Sequence, residues 1–389
     1  MMKINREKKP AGLYIHIPFC WKKCAYCDFL SFGGSDEALQ KRYTEALIRE
    51  LSLYQGKHIK LDTVFIGGGT PSLLPADHIE RIMEAAEAAF CVADTAEVTM
   101  EANPGTLTAE KLKVYRRAGI NRLSMGAQSM DDGMLSLLGR IHTGRDLTEN
   151  FLAAREAGFS NINVDLMFGL PKQSGQVWRG SLKQVLELSP EHISFYSLQL
   201  EEGTEFCRMY RDGKMDLPPV EEDRAMYHEG IRLLEEAGYE HYEISNCAKP
   251  GFVCRHNMKY WNFDEYYGAG LGAHAFSYDQ GRRCNVSDLD SYFEQIREGR
   301  LPVDPSSSGE ETRQELIGEY VFTALRKMEG LDMADFRRTF EADFFSVYKD
   351  QLPAIQEYEE AGYLTLTDMR LALTEAGIDC SNEIMAEFL

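Results

Sequence analysis

The stretch GLYIHIPFCWKKCAYCDF, residues 12–29, places Cys20, Cys24 and Cys27 within eight positions and then continues with Asp28 and Phe29. Metal sites built on cysteine ordinarily use four protein ligands. An iron–sulfur cubane held by three thiolates keeps one iron open, and catalytic metal sites withhold a protein ligand in the same way so that substrate or cofactor can occupy the position. C-x3-C-x2-C spacing lets one short loop wrap three corners of a cube. A zinc site would need a further Cys or His, and the only one nearby is His16, on the strand that leads into the loop.

Composition limits what such a loop can serve. The chain of 389 residues is 44% hydrophobic and 27% charged, values typical of a globular protein long enough for a main domain with appendages. It carries 42 Lys+Arg against 62 Asp+Glu, a formal net charge of −20. That charge repels phosphate backbones and anionic lipid alike, so nucleic acid is not an expected partner and membrane contact is at most peripheral. The start, MMKINREKKPAG, is basic but is followed by no signal-peptide core, and no run of about 18 apolar residues occurs anywhere. The expected location is the cytoplasm, where a tight cysteine cluster reads as a metal or redox site. The remaining cysteines, Cys91, Cys207, Cys247, Cys254, Cys284 and Cys380, are scattered. Apart from Cys254, they read as small buried hydrophobes.

Apolar runs alternate with helix-period segments from residue 12 to about residue 240, which predicts an α/β fold of parallel strands joined by crossover helices. Strands are expected near 13–17, 62–66, 96–101, 121–126, 161–168 and 192–200, and six units suit a partial barrel, (β/α)6. In such folds the chemistry lies after the strands' C-terminal ends, where the cysteine loop, GGGTP and Glu101 fall. The expected division is a basic N-terminal tail (1–11), the barrel (12–240), an irregular connecting segment (241–305) and a C-terminal α+β, winged-helix-like module (306–389). The acidic surroundings favour docking over DNA binding for that last module.

Together with Tyr26 just before its third cysteine, the loop resembles the signature of the radical S-adenosylmethionine (SAM) superfamily. YIHIPFC, FIGGGTPSLL, MEANPGTL, NRLSMGAQS, LGRIHT, INVDLMFGLP and HNMKYW narrow the resemblance to the HemN-like branch. That branch holds oxygen-independent coproporphyrinogen III dehydrogenase and the HemW haem chaperones. The resemblance implies a partial radical SAM barrel, with Cys20, Cys24 and Cys27 on a 4Fe-4S cluster and SAM on its open iron. It also implies SAM contacts from Tyr14, Tyr26, Gly68, Gly69, Thr70, Glu101, Gln128, Arg140 and Asp165. The glycines would let the backbone approach the cofactor, Glu101 and Asp165 would accept from ammonium or ribose hydroxyls, and Arg140 would pair with a carboxylate.

Two features separate the chain from the dehydrogenase. The dehydrogenase loop continues to another cysteine where this chain has Asp28 and Phe29, and it carries a long N-terminal extension where thirteen residues here precede Tyr14. Both features, and the HNxxYW element of His256, Asn257, Tyr260 and Trp261, match HemW-type proteins. The function implied is that of a haem chaperone delivering haem to acceptor proteins, with respiratory enzymes as reasonable customers and a homodimer compatible with it. The alternative is oxidative decarboxylation of coproporphyrinogen III; the balance leans away from that enzyme, although a radical SAM protein can still cleave SAM. Imidazole suits haem iron and Tyr and Trp suit a porphyrin face, so the element is expected to form a haem site separate from the cysteine loop, with Cys254 as a lesser candidate ligand. The bland reading of His256 is a histidine satisfied inside an aromatic mini-core.

Overall fold

A computed structural model describes Ile4, residues 6–307 and residues 311–389, so parts of the expected basic tail and of the polar break near 304–312 lie outside the described residues. Six parallel strands form the frame among the described residues: β1 (Ala11–Ile17), β2 (Lys60–Gly68), β3 (Cys91–Ala102), β4 (Arg122–Gln128), β5 (Ile162–Phe168) and β6 (His192–Ser197). They neighbour one another in chain order. Each expected strand is present, and the crossovers include helices Glu37–Ser52 and Ala76–Ala89. The first of these is capped by Asp36, whose side chain accepts from the Leu39 amide.

The segment expected to be irregular instead extends the sheet at both edges. β7 (Glu240–Glu243) and β8 (Asn246–Ala248) add antiparallel beyond β6, while β9 (Tyr266–Ala269) pairs parallel with β1 and carries β10 (His274–Ser277) and β11 (Gly281–Cys284). Glycines and aromatics in this region suggest loop when read locally; pairing with preformed sheet edges supplies the hydrogen bonds that the short strands could not secure alone. Helix Arg255–Trp261 lies between the two additions. Beyond them, Leu331–Asp332, Leu364–Leu366 and Arg370–Leu373 form a small antiparallel sheet with helices around it, matching the expected α+β module.

The N-terminal segment is tied down where described. Arg6 donates to the Asn262 and Phe263 carbonyls and pairs with Asp335 at 2.6 Å, which joins barrel and C-terminal module. Glu50 ties helix Glu37–Ser52 to the β9–β11 addition in a similar way. Its fully buried carboxyl accepts from Tyr292 Oη (2.6 Å), the Gly270 amide (2.8 Å) and Asn285 Nδ2 (2.7 Å).

Burial outweighs those donors and pushes the Glu50 carboxyl up to about 7 from its ordinary 4.5. The folded protein therefore holds a proton that the unfolded chain releases between these values, so this group's contribution to stability is greatest below about pH 4.5 and falls as pH rises through about 7. Glu50→Gln removes that dependence. In urea titrations, the stability of the wild type relative to the variant is expected to drop by about 3 kcal/mol between about pH 4.5 and about pH 7.5. A pH-independent difference would place the proton elsewhere.

Candidate functional site

The cysteine loop is closed at its base and propped at its middle. Residues Phe19–Cys20 pair with Phe32–Gly33, and His16 Nε2 meets the Leu30 carbonyl at 2.8 Å, so the chain entering the loop is bonded to the chain leaving it. Between these ties, the Ala25 amide donates to the Leu138 carbonyl (3.2 Å) and its own carbonyl accepts from the Phe206 amide (3.0 Å). Ala25 and Tyr26 rest on a separate apolar cluster that includes Leu138, Met167, Leu198 and Phe206. All three cysteines are partly exposed free thiols, and burial pushes the Cys27 thiol up to about 11.

GGGT sits against this loop through backbone contacts. Gly69 N–H donates to the Ile17 carbonyl at 2.8 Å and Thr70 N–H to the Phe19 carbonyl at 2.7 Å, which leaves Thr70 Oγ1 3.6 Å from Cys20 Sγ. A Cβ on Gly69 would lie 2.7 Å from the Phe19 carbonyl oxygen, and one on Gly68, where φ is +110°, would lie 2.4 Å from the His16 ring. The space a Cβ would need at these glycines is thus taken by the protein itself, while their backbone lines the adjoining cavity.

Arg140 reaches the same end of the barrel. It donates to Cys24 Sγ (3.7 Å), Asn103 Oδ1 and the Gly126 carbonyl, while its buried Nε has no partner. Close by, Glu101 accepts from the Gly68 amide at 2.9 Å, and Asp165 accepts from Asn163 Nδ2 at 2.7 Å. Burial, followed by the nearby charge of Asp165, pushes Glu101 up to about 8; burial also raises Asp165. Two carboxyls in this condition favour a cationic ligand, because a positive charge between them restores their ionised forms.

These groups share one cavity of about 550 Å³, a size suited to a single cofactor or drug-sized ligand. Tyr14, Tyr26, Gly68, Gly69, Thr70, Glu101, Gln128, Arg140 and Asp165 all line it with the three cysteines. Gln128 ends β4 with φ of +64°, next to a register shift against β5, a backbone departure of the kind found at binding sites. Asn103, Arg122, Ser124, Asn163 and Ser194 also line the cavity, and none of them was expected from motif or resemblance. The available signal was parity. In β4, Arg122, Ser124, Gly126 and Gln128 line the cavity, whereas Leu123, Met125 and Ala127 are buried core residues.

The HNxxYW element forms the cavity floor. His256, Asn257 and Tyr260 line the same cavity as the cysteines, so the expectation of a separate site gives way to one continuous space. Trp261 lies apart, with the Arg326 guanidinium 4.4 Å from its ring. The Arg255 and His256 amides both donate to Glu97 at 3.0 Å, and Cys254 Sγ, also buried, lies 3.7 Å from Glu97 Oε1. His256 itself is fully buried: Nδ1 meets Thr63 Oγ1 at 2.9 Å, Nε2 meets Tyr260 Oη at 2.9 Å, and the ring lies 5.3 Å from that of Phe65. Neither nitrogen is free for an iron in this arrangement.

The three free thiols of one short loop, all partly exposed on one cavity, fit a cluster that takes three protein thiolates. An arginine and two carboxyls beside the loop complement the carboxylate and the positive charges of SAM.

Comparison with known proteins places these features in a family. The radical SAM superfamily profile matches residues 14–185, and that of the HemN C-terminal domain matches residues 312–379. The heme chaperone HemW of Bacillus subtilis is 37% identical over 383 residues, covering 97% of this chain and 98% of that protein. HemW of Escherichia coli is 36% identical over 390 residues and 98% of each chain. Among solved structures, the coproporphyrinogen III oxidase HemN of Escherichia coli, a radical SAM enzyme, superposes with a TM-score of 0.85 over 98% of this chain and 90% of its own, at 24% identity. That likeness carries the fold alone.

Burial, then the charges of Lys259 and Arg122, lower His256 to about 3, so its imidazole is neutral throughout the physiological range. In spectra of protein labelled at histidine Cε1, the His256 resonance is expected to stay unchanged from about pH 8 to about pH 5, where an exposed histidine titrates near 6.5. A midpoint near 6.5 would show that the floor opens in solution.

Proposed function

The chain belongs to the HemW family of radical SAM proteins, and on that footing we propose that it is a haem carrier, taking up haem and passing it to acceptor haem proteins. The observation that carries this reading is the match to proteins named heme chaperones along nearly the whole of both chains. The sequence after Cys27, Asp28 and Phe29 in place of a further cysteine, agrees with it. Acceptors of the respiratory type, a cytoplasmic setting and a homodimer belong to the same proposal. Among the described residues no helix is long and apolar enough to cross a membrane.

On this reading Cys20, Cys24 and Cys27 hold a 4Fe-4S cluster. Arg140 pairs with the SAM carboxylate, Glu101 and Asp165 accept from its ammonium or hydroxyl groups, and Tyr14, Tyr26, Gly68, Gly69, Thr70 and Gln128 complete the walls. Bound, the cluster would supply the electron for reductive cleavage of SAM. Haem is proposed to meet His256, Asn257 and Tyr260 on the cavity floor, and Trp261, which lies outside the cavity, once that floor opens. Ligation by one ring nitrogen of His256 would cost the bond to Thr63 or the bond to Tyr260, about 1 kcal/mol, while the other bond would still orient the ring; because the imidazole is fully buried, haem uptake is coupled to opening of the floor.

Replacing any one of Cys20, Cys24 and Cys27 with Ala is expected to abolish iron incorporation after anaerobic reconstitution, whereas Cys207→Ala and Cys247→Ala are expected to leave it intact. On the clustered protein, calorimetry should show SAM binding weakened about tenfold to a hundredfold in Arg140→Ala and in Glu101→Gln. Unchanged affinity in both variants would reject the SAM assignment.

Carrier and enzyme are separated by two measurements on the same preparation. Absorbance titration is expected to show haem uptake that weakens or changes spectrally in His256→Ala. Incubation with coproporphyrinogen III, SAM and reductant is expected to give no protoporphyrinogen. Turnover above roughly one per minute, set against an enzyme median of about 10 per second, would establish the decarboxylase instead.

A further inference from the structure

Arg122 opens β4 at the floor end of the barrel, 2% exposed, and lines the cavity. A guanidinium has five donors and keeps its charge under all ordinary conditions. Yet the Arg122 guanidinium makes no hydrogen bond and no close ion pair with any described residue, and its fully buried Nε is without a partner. Such a group costs several kcal/mol to leave unpaired in a protein interior.

The nearby acids are already committed. Glu97 accepts from the Arg255 and His256 amides, with Cys254 Sγ nearby, and Asp165 accepts from Asn163 and Ser124. Together with Cys254 and Tyr242 these acids act on Arg122 only through space, offsetting the effect of its burial. The cavity's other arginine, Arg140, is engaged at the cysteine end by Cys24, Asn103 and the Gly126 carbonyl. The cavity's two guanidiniums are therefore separated, one beside the cysteine loop and one on the floor, while its lysines, Lys22 and Lys23, belong to the loop itself.

We propose that Arg122 anchors a second-ligand subsite on the barrel floor that takes a carboxylate carried on a short apolar stem. The planar guanidinium fork matches a carboxylate in bidentate fashion. Phe65 and Tyr14, stacked at 28° with centroids 6.2 Å apart, give the stem a flat wall. Ser124, Asn163 and Asn257 supply further polar contacts along the cavity. With Glu97, Glu101 and Asp165 close by, a monoanion suits this space and a phosphate dianion does not. The subsite rests on the proposed function in one respect only, that SAM occupies the cysteine end.

A carboxylate on the floor could belong to SAM itself or to another molecule, and the test separates these sources. Propionate and its neutral isostere propionamide are titrated by saturation-transfer difference NMR against cluster-free protein and against clustered protein with saturating SAM. The expected result is propionate binding about tenfold tighter than propionamide in both preparations, with the preference lost in Arg122→Met. Arg122→Gln, which keeps a polar group in the interior, serves should the Met variant fail to fold, and it too should bind the two probes equally. Equal binding in the wild type, a preference surviving either substitution, or displacement of propionate by SAM would each overturn the proposal. A failure to take up cluster or SAM would instead count against the proposed function, because the cluster-free arm still reads the floor subsite.

Discussion

The carboxylate of Glu97, accepting the first amides of helix Arg255–Trp261, is the contact on which the shape of the cavity depends. The helix is seven residues long and its N-cap, Cys254, makes no side-chain capping bond, so it has little stability of its own. A buried acid on β3 satisfies the exposed amides and places negative charge at the positive end of the helix dipole. Because Glu97 is part of the sheet, the floor is fastened to the wall. Lys259 adds an ion pair with Asp62 at 2.7 Å and a bond to the Pro10 carbonyl, so β2, β3 and the residue that leads into β1 all hold the same short helix.

A floor fixed in this way leaves the interior of the half-barrel as a cavity with polar groups set into its walls, in place of a packed core. Parallel sheets covered on both faces usually read as continuous apolar runs. Here one side of the strands feeds the apolar core against the helices, and the other presents polar groups to the cavity, Glu101 on β3, Arg122 and Ser124 on β4, Asn163 and Asp165 on β5 and Ser194 on β6. The cost of burying those groups is visible in the raised carboxyls of Glu101 and Asp165 and in the depressed imidazole of His256. A cationic cofactor at the cysteine end and an anion at the floor would each relieve part of it. Fold and function separate at this point, since the same architecture in HemN belongs to an oxidase.

Parity along the strands is legible in the residue order alone. INVDLMF in β5 alternates Asn163 and Asp165 with Val164 and Leu166, and RLSMGAQ in β4 does the same with Arg122, Ser124 and Gln128. Such alternation in a strand flanked by crossover helices marks a face that lines a site. The roles of the glycines in GGGT are not legible, because a glycine that yields to a cofactor and one that yields to a neighbouring backbone look alike in a linear string; only the 2.7 Å approach of Phe19 to a Cβ on Gly69 distinguishes them.

The three-cysteine loop, the six strands that present it and the groups of opposite charge near the cysteine end follow from the order of residues, because spacing, periodicity and residue chemistry are local properties. Folding was needed to bring residues 240–284 onto both edges of the sheet and to place His256 in one cavity with cysteines more than 200 positions away in the chain. It is also the fold that engages both His256 nitrogens and leaves Arg122 without a partner. Whether a polar side chain is satisfied depends on atoms brought to it from distant strands, and a linear pattern of residue types contains no record of that proximity.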